Sequence, residues 1–252
     1  GSKEITLLGQ NVNAYNYKEK KLADLILEIS QIKDLKRIRY TTSHPKDFTE
    51  DLIQMHKDCE NLMPLIHLPV QSGSNKILEN MNRQHSIEEY LEIIEKLKKV
   101  NAKVKFSSDF IIGYPGETQN DFDKTVELMK KVKFINSYSF IFSARPGTPA
   151  FNLKKIDTNI TKERLNVFQD ISKKIKTEYR NTLLSKKMRI LFENKTKSGN
   201  KYFGRDEHFN SVIVESDDNL IGKIKDIEIT RVNQNTLFGE TSKKLIQKGH
   251  VV

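Results

Sequence analysis

Cysteine is almost absent from this 252-residue chain, and tryptophan is missing altogether. The single cysteine, Cys59, excludes an intrachain disulfide framework and any metal or iron–sulfur site built only from this chain's cysteines. It falls on an amphipathic helical pattern and reads as a structural thiol, which suits a reducing, cytoplasmic setting. No apolar run is long enough to span a bilayer and the start shows no secretory pattern, so no membrane partner is expected. Apolar residues make up only 37%, yet Leu, Ile and Phe supply core enough for one large or two modest domains. A nucleophile–base pair and a metal triad are also missing, which weighs against an ordinary α/β enzyme acting on a small substrate. Gly113–Thr118 lacks the Gly-Lys-Ser/Thr ending of a phosphate loop and reads as a turn with Thr118 capping a helix.

What is present is positive charge, unevenly placed. The net charge is +10; residues 1–151 carry +2 and residues 152–252 carry +8. A basic surface attracts polyanions over a screening length of about 8 Å at physiological salt, and nucleic acid is the natural candidate. A lysine-rich composition without any such partner is the plainer alternative.

The segment His67-Leu-Pro-Val-Gln-Ser-Gly-Ser74 is the most informative stretch. It predicts a short buried strand ending in a polar turn, with Ser74 as N-cap of a helix around Asn75–Asn82. Four further junctions share this design: Ile5–Leu8 before Gly9-Gln-Asn-Val-Asn13, Ile38–Thr42 before Ser43-His-Pro45, Val104–Ile112 before Gly113, and Ile135–Phe142 before Ser143-Ala-Arg-Pro-Gly-Thr148. Helical patterns follow at Leu22–Ile32, Asp51–Cys59, Ile87–Val100, Gln119–Val132 and Thr161–Leu184. Strands alternating with helices imply an α/β fold with a parallel sheet and right-handed crossovers. A closed barrel of eight such units needs about 250 residues, so residues 1–184 are expected to form a partial, open β/α barrel. The chain enters a strand almost at once, and truncation of a longer protein is expected. Gly1-Ser2 is either native or a scar.

After residue 184 the periodicity shortens. Met188–Phe192, Tyr202–Gly204, Ser211–Val214, Ile221–Thr230 and Leu237–Gly239 predict a small antiparallel barrel of the oligonucleotide-binding kind over residues 185–252. Phe192, Tyr202, Phe203, Phe209 and Phe238 are interleaved with Lys195, Lys197, Lys201, Arg205, Lys223 and Arg231. Aromatics beside cations stack bases and hold phosphates, or they form the barrel's own core. At least half of these aromatics are expected to be buried. Tyr202 and the six cations are the candidate RNA contacts.

Taken together, the motifs after the first two strands, His67–Ser74, Ser107–Thr118 and Ser139–Thr148 closely resemble the radical S-adenosylmethionine methylthiotransferases. Gln10-Asn-Val-Asn13 and Thr42-Ser-His-Pro45 resemble the branch that acts on N6-isopentenyladenosine in tRNA; the ribosomal-protein and threonylcarbamoyladenosine branches differ at both places. The β-rich end is similar to the TRAM domain, an RNA-binding barrel. The resemblance implies S-adenosylmethionine, two [4Fe–4S] clusters, tRNA, a reductant for the cluster and a monomeric enzyme. Members of the family hold one cluster by three closely spaced cysteines after the first barrel strand and the second through an N-terminal domain. Neither set is in this chain, so it is expected to be the C-terminal portion of such an enzyme and inactive alone. A non-catalytic RNA-binding scaffold reusing the fold is the competing reading.

For cofactor contacts, the resemblance and the strand-end positions single out Gln10, Asn11 and Asn13 for the methionine amino or carboxylate group, and Gln71 and Ser72 for the ribose hydroxyls. Ser43, Ser108, Asp109 and Arg145 complete the set. Ser108 and Asp109 are adjacent on a strand, so only one faces the barrel interior. Arg145 either pairs with a ligand anion or braces Asp109. His44 either meets ligand or caps its turn. Arg83 and His85 are expected at the loop surface.

Overall fold

The computed structural model describes residues 1–41, 43–197 and 199–241. It divides into two compact units, Gly1–Lys176 and Thr177–Val252. The division falls inside the last helix, before the boundary expected at 184/185. The end of that helix carries Tyr179, and Leu183 follows it; both pack into the hydrophobic cluster of the second unit.

In the first unit, parallel strands β1 (Glu4–Leu7) and β2 (Arg37–Tyr40) form one ladder. Strands β3 (Leu65–His67), β4 (Lys105–Ile112) and β5 (Asn136–Ile141) form a second. A parallel bridge between Ile38 and Leu62 links them, so the strands lie side by side in chain order with their carboxyl ends on one rim. Helices α1 (Leu22–Ser30), α2 (Glu50–Asp58), α3 (Asn75–Asn80), α4 (Ile87–Val100), α5 (Gln119–Val132) and α6 (Thr158–Asn181) complete the αβ alternation. The second strand was expected to run to Thr42, which lies outside the described residues; the strand itself closes at Tyr40.

Alternation on β4 decides which chemistry faces where. Phe106, Ser108, Phe110 and Ile112 are buried on one face, and Phe110 meets Phe134 and Phe168 at centroid distances of 5.5 and 4.7 Å. Ser107, Asp109 and Ile111 point the opposite way, as period-2 pleating requires. Helix starts follow the sequence signals. Ser86 and Glu89 close a capping box on α4, and Thr118 and Asp121 close one on α5. Ser74 occupies the N-cap position of α3, but its hydroxyl donates instead to Asp121 at 2.7 Å. Gly73 is there because α5 passes so close: a Cβ would sit 2.5 Å from the Lys124 carbonyl oxygen.

The second unit is a closed barrel of β6 (Lys187–Lys195), β7 (Lys201–Arg205), β8 (Ser211–Glu215), β9 (Ile224–Val232) and β10 (Leu237–Thr241). The order around it is β6–β7–β8–β10–β9, with β8 and β10 parallel and every other pair antiparallel. That is the topology of the oligonucleotide-binding barrel. Its core is Ile190, Phe192, Tyr202, Val212, Val214, Ile227, Ile229 and Leu237.

Candidate functional site

The loops after β1 and β2 are tied together by asparagine. Asn13 donates its amide to the His44 carbonyl and accepts from the His44 N–H, both at 2.8 Å. Asn11 donates to Asp47 at 2.6 Å, while its own Oδ1 is buried without a hydrogen-bond partner among the described residues. Ser43 is 4% exposed, and its hydroxyl also has none among the described residues. His44 takes its capping role: Nδ1 accepts from the Lys46 N–H at 3.2 Å. Gln10 is exposed at the end of β1.

At the end of β3, Gln71 has φ +74°, a left-handed conformation that a non-glycine residue rarely adopts. The backbone of β4 enforces it: Gln71 N–H donates to the Asp109 carbonyl at 3.0 Å, and Ile111 N–H donates to the Gln71 carbonyl at 2.9 Å. Ser72 and Ser108, expected to contact cofactor, are buried and engaged in holding this turn. The Ser72 hydroxyl lies 3.3 Å from that of Thr125 and accepts from the Ser74 N–H. The Ser108 hydroxyl donates to the Leu68 carbonyl at 2.9 Å and accepts from the Val70 N–H at 3.0 Å.

Asp109 is the member of its pair that faces away from the side buried under Phe134 and Phe168. Its Oδ2 is 3.5 Å from Nε2 of His67, whose Nδ1 is 2.9 Å from the Ser107 hydroxyl. Arg145 is exposed after β5 and forms no ion pair among the described residues, so His67 rather than Arg145 stands beside Asp109. All nine expected cofactor residues thus lie on the strands or at their carboxyl ends; Asn11, Asn13 and Ser43 are joined through His44 and its turn, and Gln71 and Asp109 through the β3–β4 backbone.

Sequence reasoning missed Arg83 and His85, which are half-buried rather than on the loop surface. Arg83 reaches back to the Pro69 carbonyl with Nη2 at 3.3 Å, leaving Nε buried and unpartnered. Both ring nitrogens of His85 are buried without partners among the described residues, and its ring meets His44 edge-on at 5.5 Å. Burial, with Arg83 and His44 nearby, pushes the His85 imidazole down to about 4, so it is neutral at physiological pH. These residues line a cleft of about 500 Å³ with Asn75, Glu79 and Gln84. The available signal was Asn82, whose φ of +57° turns the chain back immediately after α3. Orphaned buried polar atoms cost about 1–3 kcal/mol each, and five of those in the first unit fall in the segments after β1, β2 and α3. Among the described residues no group of three His, Cys, Asp or Glu is placed to hold a metal ion.

On the barrel, Lys195, Lys197, Lys201, Lys223 and Arg231 are exposed, and Arg205 is half-exposed. Tyr202, expected at the RNA surface, lies in the core at 5% exposure with Lys195 above its ring. Of the five aromatics only Phe192 and Tyr202 are buried, fewer than expected; Phe203 and Phe238 are half-exposed and Phe209 is 42% exposed. Strand alternation explains the shortfall, because Phe203 and Phe238 occupy outward positions between buried neighbours.

The radical SAM superfamily model matches residues 1–129, just over half of the chain. The chain belongs to the radical SAM superfamily. A TRAM domain follows at residues 182–241. The chain is 54% identical over 98% of its length to the tRNA-2-methylthio-N(6)-dimethylallyladenosine synthase of Pelagibacter ubique, and 46% identical over 95% to the protein of that name from the Wolbachia of Culex pipiens. It spans 57% and 56% of the lengths of those relatives. The coproporphyrinogen III oxidase of Escherichia coli, described as a radical SAM enzyme, superposes with a TM-score of 0.55 at 12% identity. That match covers 81% of this chain and 54% of the other, and it shows the shared fold.

Proposed function

We propose that this radical SAM chain is the barrel and RNA-binding portion of a tRNA methylthiotransferase that places a methylthio group on C2 of N6-isopentenyladenosine. The observation that carries this is 54% identity along almost the whole chain to a curated synthase of that name. The substrate is tRNA, the setting the cytoplasm where tRNA is modified, and the enzyme a monomer.

S-adenosylmethionine fits the rim. Its amino, carboxylate and hydroxyl groups need donors and acceptors, and the Asn11 carbonyl, Ser43 hydroxyl, Arg83 Nε and His85 ring nitrogens supply them. When bound, S-adenosylmethionine supplies radical and methyl-transfer chemistry. Asn13 keeps the first two loops in register by clamping His44. Gln71, fixed in its left-handed turn, is held with its side chain at the strand end, and Ser72 and Ser108 keep that turn closed. Gln10, Asp109 and Arg145 are the remaining proposed contacts. The neutral His85 imidazole offers one N–H and one acceptor without adding charge. An iron–sulfur cluster does not fit these residues: thiolates are required, and Cys59, buried at the end of α2, is alone.

Deleting the gene that encodes this chain and analysing tRNA nucleosides by mass spectrometry tests the reading. N6-isopentenyladenosine is expected to accumulate as its 2-methylthio derivative disappears. An unchanged 2-methylthio level sinks the proposal.

A further inference from the structure

The β3–β4–β5 ladder has two unlike faces. Ser137 and Ser139 on β5 turn toward α6, where they meet Ser172 and Gln169. Tyr138 and Phe140 alternate with them and point the other way. In register beside those two rings stand Asp109 and Ile111 of β4. His67 of β3 and Ser107 of β4 are paired on the same face. Tyr138 and Phe140 are 54% and 58% exposed. The His67 ring meets Tyr138 edge-on at 6.2 Å. The Asp109 carboxylate, 3.5 Å from Nε2, favours the tautomer with its hydrogen on Nε2, so the Ser107 hydroxyl donates to Nδ1 at 2.9 Å. At that distance Asp109 orients the Nε2–H without consuming it.

A donor and an acceptor held side by side, next to uncovered aromatic and aliphatic side chains, match one edge and one face of a purine. Enzymes that modify a nucleobase take it out of the stack, read its edge by hydrogen bonds and hold its ring against apolar side chains. We infer that this face is the subsite for the target adenine: His67 Nε2 donates to N1, Asp109 accepts from N6–H, and Phe140 and Ile111 lie against the isopentenyl tail. The inference rests on the proposed tRNA reading and assigns the residues that recognise the base. N1 adjoins C2, the carbon to be modified, so a donor at N1 both positions C2 and draws electron density from it. The tail, turned to the N7 side, is a branched apolar group that gains from contact with Phe140 and Ile111. One oxygen of Asp109 suffices for the base, and the cofactor contact proposed above falls to the other.

The test measures nucleoside binding to the full chain by calorimetry, with N6-isopentenyladenosine, adenosine and the 1-deaza analogue of the first as probes. Wild type is expected to bind the prenylated nucleoside about tenfold more tightly than adenosine. Phe140→Ser, at an exposed position, is expected to erase that preference and leave adenosine unchanged. His67→Leu is expected to weaken both adenosines by about threefold to tenfold and to leave the deaza probe unaffected, because that probe has no N1 to accept. A merely structural role for His67 would weaken all three, and that result overturns the contact. If His67→Leu fails to fold, wild type decides: a deaza probe bound as tightly as its parent overturns the contact equally. Adenosine and its prenylated form bound alike overturn the tail assignment. No binding of any nucleoside overturns the subsite and gives the face to another segment of a longer protein, with the function still resting on the gene deletion. Binding as expected, with the 2-methylthio level unchanged on deletion, sinks the function and leaves a purine site.

Discussion

In the first unit eight buried polar atoms lack a hydrogen-bond partner among the described residues: Asn11 Oδ1, Ser43 Oγ, Arg83 Nε and both His85 nitrogens in the segments after β1, β2 and α3, and Glu4 Oε2, His56 Nδ1 and Glu117 Oε1 elsewhere. In the barrel the functional groups are displayed: cations at the surface, several already resting on aromatic rings. A buried rim of unmatched donors and acceptors destabilises the protein until a small polar ligand fills it. An exposed cation–aromatic surface costs little when empty and suits a large, flexible polyanion. The two units thus put burial to opposite uses, and that contrast can be broken or sharpened by substitution.

The largest effect is expected at Glu117, which is 5% exposed and accepts from Arg164 Nη1 at 2.8 Å and from the Gly113 N–H at 3.1 Å. Glu117→Ala strands a buried guanidinium and is expected to cost about 3–5 kcal/mol. Urea unfolding of the full chain checks it: the transition of the first unit should move and that of the barrel should not. If Glu117→Leu with Arg164→Met regains most of the loss, the pair serves position more than stability.

Acid should separate the units by sign. Burial pushes His56 down to about 3, and its Nε2 lies 2.6 Å from the Tyr40 hydroxyl. The unfolded chain takes that proton near pH 6.5, whereas the folded one refuses it, so the unfolded state binds more protons. The stability tied to His56 is complete above pH 6.5 and falls as pH drops, by roughly 3 kcal/mol at pH 4. Asp206, inside the barrel, has the opposite linkage. Burial raises its carboxyl, so its contribution is full below the unfolded carboxylate pKa and declines as pH rises through the folded one. Unfolding monitored separately in each unit from pH 7 to pH 4 should show the first weakening, and His56→Gln should flatten that slope.

Close backbone approach gives a matched pair of smaller tests. A Cβ on Gly73 would lie 2.5 Å from the Lys124 carbonyl oxygen; one on Gly239 would lie 2.5 Å from the Glu228 carbonyl oxygen. Gly73→Ala and Gly239→Ala should each cost about 1–3 kcal/mol, the first only in the parallel sheet and the second only in the barrel. Loss in both transitions from either substitution would show that the units unfold as one.

Much of this arrangement was legible in the sequence because it rests on local rules. The ranges of α4 and α5 follow from Ser86 and Thr118 with their capping partners, and the alternation on Lys105–Ile112 separates Ser108 from Asp109. What escaped depends on contacts between distant segments. The short ladder of Asn16–Tyr17 with Lys20–Lys21 turns through Lys18 and Glu19 at positive φ without the usual glycine or asparagine. Ser72 and Ser108 were expected at a ligand, since no spacing rule reveals that Thr125 or Leu68 will claim their hydroxyls. His85 escaped because its burial depends on His44, far along the chain.

Ser43 gives the smallest effect and the sharpest discrimination. A buried hydroxyl that hydrogen-bonds normally destabilises on removal, by about 1 kcal/mol. The Ser43 hydroxyl has no partner among the described residues, so Ser43→Ala removes a desolvated group and leaves only a one-atom void. Without ligand the variant is expected to be as stable as wild type or up to about 1 kcal/mol more stable, measured by urea unfolding. With S-adenosylmethionine present the order should reverse, because wild type alone regains the missing hydrogen bond and is stabilised by binding. An alanine variant that is destabilised without ligand would mean that Ser43 is bonded within the protein; one stabilised by ligand as much as wild type would remove it from the site. The barrel offers no such inversion, since its displayed cations lose binding on truncation without gaining stability.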